Sequence, residues 1–109
     1  MSSTLTDLTC PDCKGTIWEN KEGRFLQYKC RVGHVFSPKS MLAEHFATQE
    51  KLLYSAIVAL EEGASLANRL AENLGPEVED RLRDEARERM QQAESVRQIL
   101  KSRKAFSLD

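Results

Sequence analysis

Cys10, Cys13, Cys30 and His34 include every cysteine of the chain and one of its two histidines. Two residues separate the first pair and three the second, the spacings by which a tight turn presents two donors to one ion. Three thiolates and an imidazole make a tetrahedral set of soft and borderline ligands, which suits Zn(2+). Three buried cysteines filling a core would leave the spacing unexplained. A rubredoxin-like iron centre wants a fourth cysteine, and a thioredoxin-like Cys10/Cys13 redox pair wants an alpha/beta context that this chain lacks. The expected zinc is structural. Catalytic zinc keeps three protein ligands and an open position. Three thiolates on a divalent ion would also leave a formal charge of -1, poor for polarising a carbonyl or a bound water.

Positioning these ligands takes a small sheet. Residues 14–29 have room for two short strands and a turn, as in a zinc ribbon. "TIWE" and "RFLQYK" alternate as strands do, and "NKEG" reads as the turn, with Gly23 free to take positive φ. Pro11 stiffens the first ligand turn, and Gly15 and Gly33 ease both.

From Ser37 the pattern changes, with a serine cap, Pro38 in the first turn and a long amphipathic helix. Leu42, Phe46, Leu53, Ile57, Leu60, Ala64, Ala67, Leu70 and Leu74 form its apolar stripe. Gly63 inside it costs roughly 1 kcal/mol relative to alanine. It marks either a close helix crossing or a permissive surface position. Gly75 and Pro76 close one helix and open the next, whose stripe is Val78, Leu82, Ala86, Met90, Ala93, Val96 and Leu100. Glu77/Arg81, Glu79/Arg83 and Glu85/Arg89 are opposite charges four apart on its outer face. Lys101, Arg103 and Lys104 suit its C-terminal end. His45, beside Leu42 and Phe46, is expected at the boundary of the core, neither a base nor a fifth ligand. The expected fold class is α+β: a zinc ribbon of short antiparallel strands over residues 1–36, then a long antiparallel two-helix hairpin over 37–109, with helices about 38–73 and 77–104.

The stretch "CPDCKGTIWENKEGRFLQYKCRVGHVFSPKSMLAEH", with "LYSAIVALEEGASLANRLAE" after it, resembles the zinc-ribbon and helical segment appended to some bacterial chemotaxis-type protein-glutamate methylesterases. There a Cys-Pro-x-Cys-Gly-Gly turn, a Trp-Glu strand and a Cys-x-x-Gly-His-x-Phe/Tyr-Ser run recur. The likeness covers roughly residues 8–74, and Lys14 departs from it where that pattern often has glycine. It does not bring the esterase, since the chain has neither a receiver domain nor room for a catalytic domain. The resemblance implies an accessory or signalling module.

Size and charge bound the rest. The 109 residues, 30% of them charged, fit one small domain or two subdomains. The longest apolar runs fall far short of the roughly 20 residues a membrane span needs. "MSSTLTDLT" does not read as a secretion signal, so a reducing, cytoplasmic location is expected. A net charge of -1 gives no broad attraction to phosphate or anionic lipid. The expectation is a non-enzymatic interaction module without a small-molecule substrate, engaging a protein partner or its own copies through a coiled-coil-like hairpin. The alternative is a nucleic-acid-binding ribbon, because Trp18, Phe25 and Tyr28 are interleaved with Lys14, Lys21, Arg24, Lys29 and Arg31.

Overall fold

The computed structural model describes residues 2–108. Four antiparallel strands, β1 (Ser2–Thr9), β2 (Thr16–Glu22), β3 (Phe25–Cys30) and β4 (Val35–Phe36), lie side by side in chain order. Two helices follow, α1 (Pro38–Asn73) and α2 (Pro76–Ser102). The fold is α+β, with a ribbon-like start and a helical hairpin.

The β2 strand runs further than "TIWE" suggests, taking in Asn20, Lys21 and Glu22 of the expected turn, and β3 starts one residue later than "RFLQYK", so only Gly23 and Arg24 lie between them. Gly23, at φ 59°, makes that tight connection possible. The strand β1 had no expected counterpart. Its segment buries little, and only Thr6 and Leu8 are half-buried. What holds it is pairing with β2, Leu5 standing opposite Trp18, and the Thr6 hydroxyl, which donates to the Ile17 carbonyl at 2.7 Å and accepts from the Leu8 amide at 3.1 Å. The register slips between Leu5 and Thr9.

Alternation then sorts the sheet. Ile17 stands opposite Cys30 and Glu19 opposite Tyr28, whose hydroxyl donates to the Glu19 carboxylate at 3.0 Å. This face holds the core of Cys10, Ile17, Cys30 and Met41, with Leu8, Tyr28 and Phe36 packed against it. Leu5, Trp18, Lys29 and Val35 run across the opposite face.

Ser37 caps α1, its hydroxyl accepting from the Ser40 amide at 3.1 Å. The chain divides into two compact units, one reaching Gln49 and the other running from Glu50 to Ser107, so the first turns of α1 belong with the sheet. In the second unit Ile57, Ala64 and Ala71 are buried at intervals of seven along α1, as are Ala86 and Ala93 along α2. Alanine seams let two helices approach closely. The Arg97 guanidinium reaches the Glu61 carboxylate at 2.6 Å, and Arg83 donates to Asn68 at 3.4 Å, which fixes α2 antiparallel to α1.

Two stripe residues depart from expectation. Leu74 is 59% exposed because α1 ends at Asn73 and Gly75, at φ 109°, turns the chain away. Met90 is 45% exposed, standing off the seven-residue repeat of Ala86 and Ala93 that α2 buries. On the outer face Glu79–Arg83 and Glu85–Arg89 close as ion pairs. The Glu77 carboxylate instead lies over Gly75, 2.9 Å from where a Cβ would stand there. Among the described residues no helix is long and apolar enough to cross a membrane.

Candidate metal centre

The first ligand turn is a closed loop of backbone. The Cys10 amide donates to the Gly15 carbonyl at 2.7 Å, and the Lys14 amide to the Cys10 carbonyl at 2.9 Å. Closing it requires a left-handed residue, and Lys14 takes that conformation at φ 64°. The Lys14 ammonium settles on the Pro11 carbonyl at 3.1 Å. Gly15 leaves room for the Cys13 sulfur, from which a Cβ there would stand a tight 3.3 Å.

The second turn follows β3. The Cys30 amide donates to the His34 carbonyl at 3.1 Å and the Gly33 amide to the Cys30 carbonyl at 3.2 Å, with Gly33 at φ 114°. The His34 amide points at the Cys30 sulfur from 3.3 Å.

The two turns bring Cys10, Cys13, Cys30 and His34 together, one ligand atom from each, all within 4.8 Å of one another. Cys13 Sγ stands 3.7 Å from Cys30 Sγ, too far for a disulfide. His34 Nδ1 lies 3.6 Å from Cys10 Sγ and 3.4 Å from Cys30 Sγ. A tetrahedron with metal–sulfur bonds of about 2.3 Å and metal–nitrogen bonds of about 2.0 Å has edges of about 3.8 Å between sulfurs and about 3.5 Å from sulfur to nitrogen. The group is therefore positioned to bind a metal ion. His45 stands outside it, half-buried on α1, its Nε2 buried without a hydrogen-bond partner.

The thiols are unequal. Cys10 and Cys30 are buried and Cys13 is exposed. Burial would raise the Cys30 thiol, but backbone amides of His34, Gly33 and Val32, together with the Cys13 side chain, outweigh it and bring Cys30 down to about 6. At Cys13 the Gly15 backbone favours the thiolate, yet desolvation and the neighbouring Cys10 and Cys30 sulfurs leave the thiol raised.

Met41 is the part of this centre that sequence reasoning missed. It sits in the same buried cluster as Cys10 and Cys30, with Phe36 packed against that cluster. With Ser37 as cap, Phe36 and Met41 occupy the two positions of a hydrophobic staple, a signal readable from the sequence.

No family model, no curated protein and no solved structure matches this chain.

Proposed function

We propose that this chain is a non-enzymatic protein-interaction module in which a structural zinc ion fastens the ribbon and the helical hairpin docks to protein. The observation that carries the reading is the set of four donors within 4.8 Å of one another, with Cys10–His34, Cys13–Cys30 and Cys30–His34 near tetrahedral edge spacing. A fourth protein ligand occupies the position that a catalytic zinc leaves to water. Three thiolates favour zinc over harder divalent ions, and four-cysteine iron would need one more sulfur. The docking half of the reading is supported by apolar side chains that the hairpin leaves outside its seam, among them Leu52, Val58 and Leu66. The likeness of residues 8–74 to the methylesterase-appended segment supports an accessory role in bacterial cytoplasmic signalling.

Native mass spectrometry tests the metal half. One zinc per chain is expected, lost together with sheet structure in Cys30→Ser. A metal-free chain with an intact ribbon would overturn the reading.

The nucleic-acid reading rests on the outer sheet face, where Trp18 lies level with Lys29 and a shallow pocket is lined by Ser3, Trp18, Asn20 and Lys29. Tyr28, by contrast, packs on the core. Binding to single-stranded nucleic acid that falls steeply with added salt supports that reading, and no binding at low salt removes it.

A further inference from the structure

The three sulfurs of the centre are not equally reachable. Cys10 and Cys30 are 0% and 2% exposed, whereas Cys13 stands exposed in the first ligand turn. The nearby Gly15 sets no side chain against its sulfur. A small oxidant arriving from solvent therefore meets Cys13 first. A thiol that ligates zinc is held as thiolate, the form that reacts with a hydroperoxide.

The partner for an oxidised Cys13 is already in place. Cys30 Sγ lies 3.7 Å from Cys13 Sγ and belongs to the other ligand turn. Closing that gap to a bond of about 2.0 Å is a short movement for an exposed side chain. Cys10 is held differently, its Sγ against His34 Nδ1 at 3.6 Å and its amide and carbonyl both engaged in closing the first turn. Cys13 stands just before β2 and Cys30 ends β3, with Ile17 of β2 level with Cys30. A bond between the two cysteines would clasp the open end of the β2–β3 hairpin, so the paired strands keep a crosslink when the ion is gone. An exposed thiolate poised beside a resolving cysteine is the arrangement of a reversible redox sensor.

We propose that Cys13 is an oxidation site and that a hydroperoxide empties the metal centre by driving a Cys13–Cys30 disulfide. With hydrogen peroxide, Cys13 Sγ attacks one oxygen and the O–O bond breaks. Cys13 becomes a sulfenic acid, and the other oxygen takes a proton and leaves as water. Cys30 Sγ then attacks the Cys13 sulfur, the S–S bond forms as the S–O bond breaks, and the second oxygen leaves with a proton as water. Two thiolates have given two electrons to the peroxide, which has also taken two protons from solvent. Two of the four donors are consumed, and Cys10 with His34 is too small a set to retain zinc. The proposal rests on the reading of the four residues as a zinc site, and adds what governs its occupancy.

The full, zinc-loaded chain is treated with hydrogen peroxide while a chromophoric chelator reports free zinc and mass spectrometry maps the cysteines. About one zinc is expected to be released per peroxide consumed, with a Cys13–Cys30 disulfide in the product. Dithiothreitol followed by zinc is expected to restore the loaded mass. Cys13→His keeps four donors but lacks the attacking thiol, and is expected to release zinc at least about tenfold more slowly. The bond mapped in the native chain decides independently of that variant. A disulfide that includes Cys10, or oxidation of Cys13 that dithiothreitol does not reverse, overturns the proposal. A loaded chain that keeps its zinc under peroxide overturns the proposal alone, whereas a chain that holds no zinc at the outset overturns the reading of the centre with it.

Discussion

Lys14 shows what one residue contributes to the metal centre. The ligand turn needs left-handed backbone between Cys13 and Gly15, and Lys14 supplies it at φ 64° against the steric preference of its own Cβ. Lys14→Gly is therefore expected to raise the stability of the ribbon by up to about 1 kcal/mol, the relief of strain exceeding the extra chain entropy of glycine. Lys14→Val is expected to lower it by more than about 1 kcal/mol and to weaken zinc, because a β-branched residue is a poor occupant of that region. Zinc competition with a chromophoric chelator reads both. The unequal thiols give a second prediction. Metal binds thiolate, so at neutral pH Cys13, whose thiol is raised, must release its proton, whereas Cys30, at about 6, is already ionised. Calorimetric titration of the native chain with zinc in buffers of different protonation enthalpy is expected to show fewer protons released at neutral pH than its three thiols could give, because Cys30 has already lost its own. The sign for Cys30 is that of a depressed acid. Its contribution is complete above the ordinary thiol value of 9.0 and is lost as pH falls through about 6.

At the scale of elements, the hairpin was legible because its apolar residues keep helical spacing, and the cap at Ser37 and the break at Gly75 and Pro76 are local signals. The errors have one cause. Read at intervals of three and four from Ala67, the stripe passes to Leu70 and Leu74. The structure instead keeps a strict seven-residue repeat and buries Ala71. The same repeat in α2 buries Ala86 and Ala93 and leaves Met90 off it. Strand β1 was illegible for the opposite reason. Its place depends on hydrogen bonds to β2 rather than on a buried face, and such pairing leaves no period in the sequence. Between the helices, Glu61 is the chief cause that holds the Arg97 guanidinium above its usual value. Both side chains are about a third exposed, at 39% and 34%, so solvent screens the pair. A double-mutant cycle through Glu61→Gln and Arg97→Gln is expected to give a small favourable coupling that shrinks as salt is added.

For the whole molecule, the two compact units draw on different sources of stability. In the unit reaching Gln49, two of the four buried core residues, Cys10 and Cys30, are candidate metal ligands. A core that small leaves most of the folding free energy to the ion, on the order of 10 to 16 kcal/mol in small zinc modules. The unit from Glu50 to Ser107 has its own seam of Ile57, Ala64, Ala71, Ala86 and Ala93, none of them a metal-ligating residue. Stripping the metal with a strong chelator is therefore expected to abolish protection of the β2 and β3 amides from hydrogen exchange, while amides of α1 beyond Glu50 and of α2 keep most of theirs. Re-adding zinc is expected to restore the first set without altering the second. Simultaneous loss of protection in both sets would mean that the hairpin does not hold without the ribbon, and unchanged protection in both would mean that the sheet is held by its apolar contacts alone, with the ion contributing little to the fold.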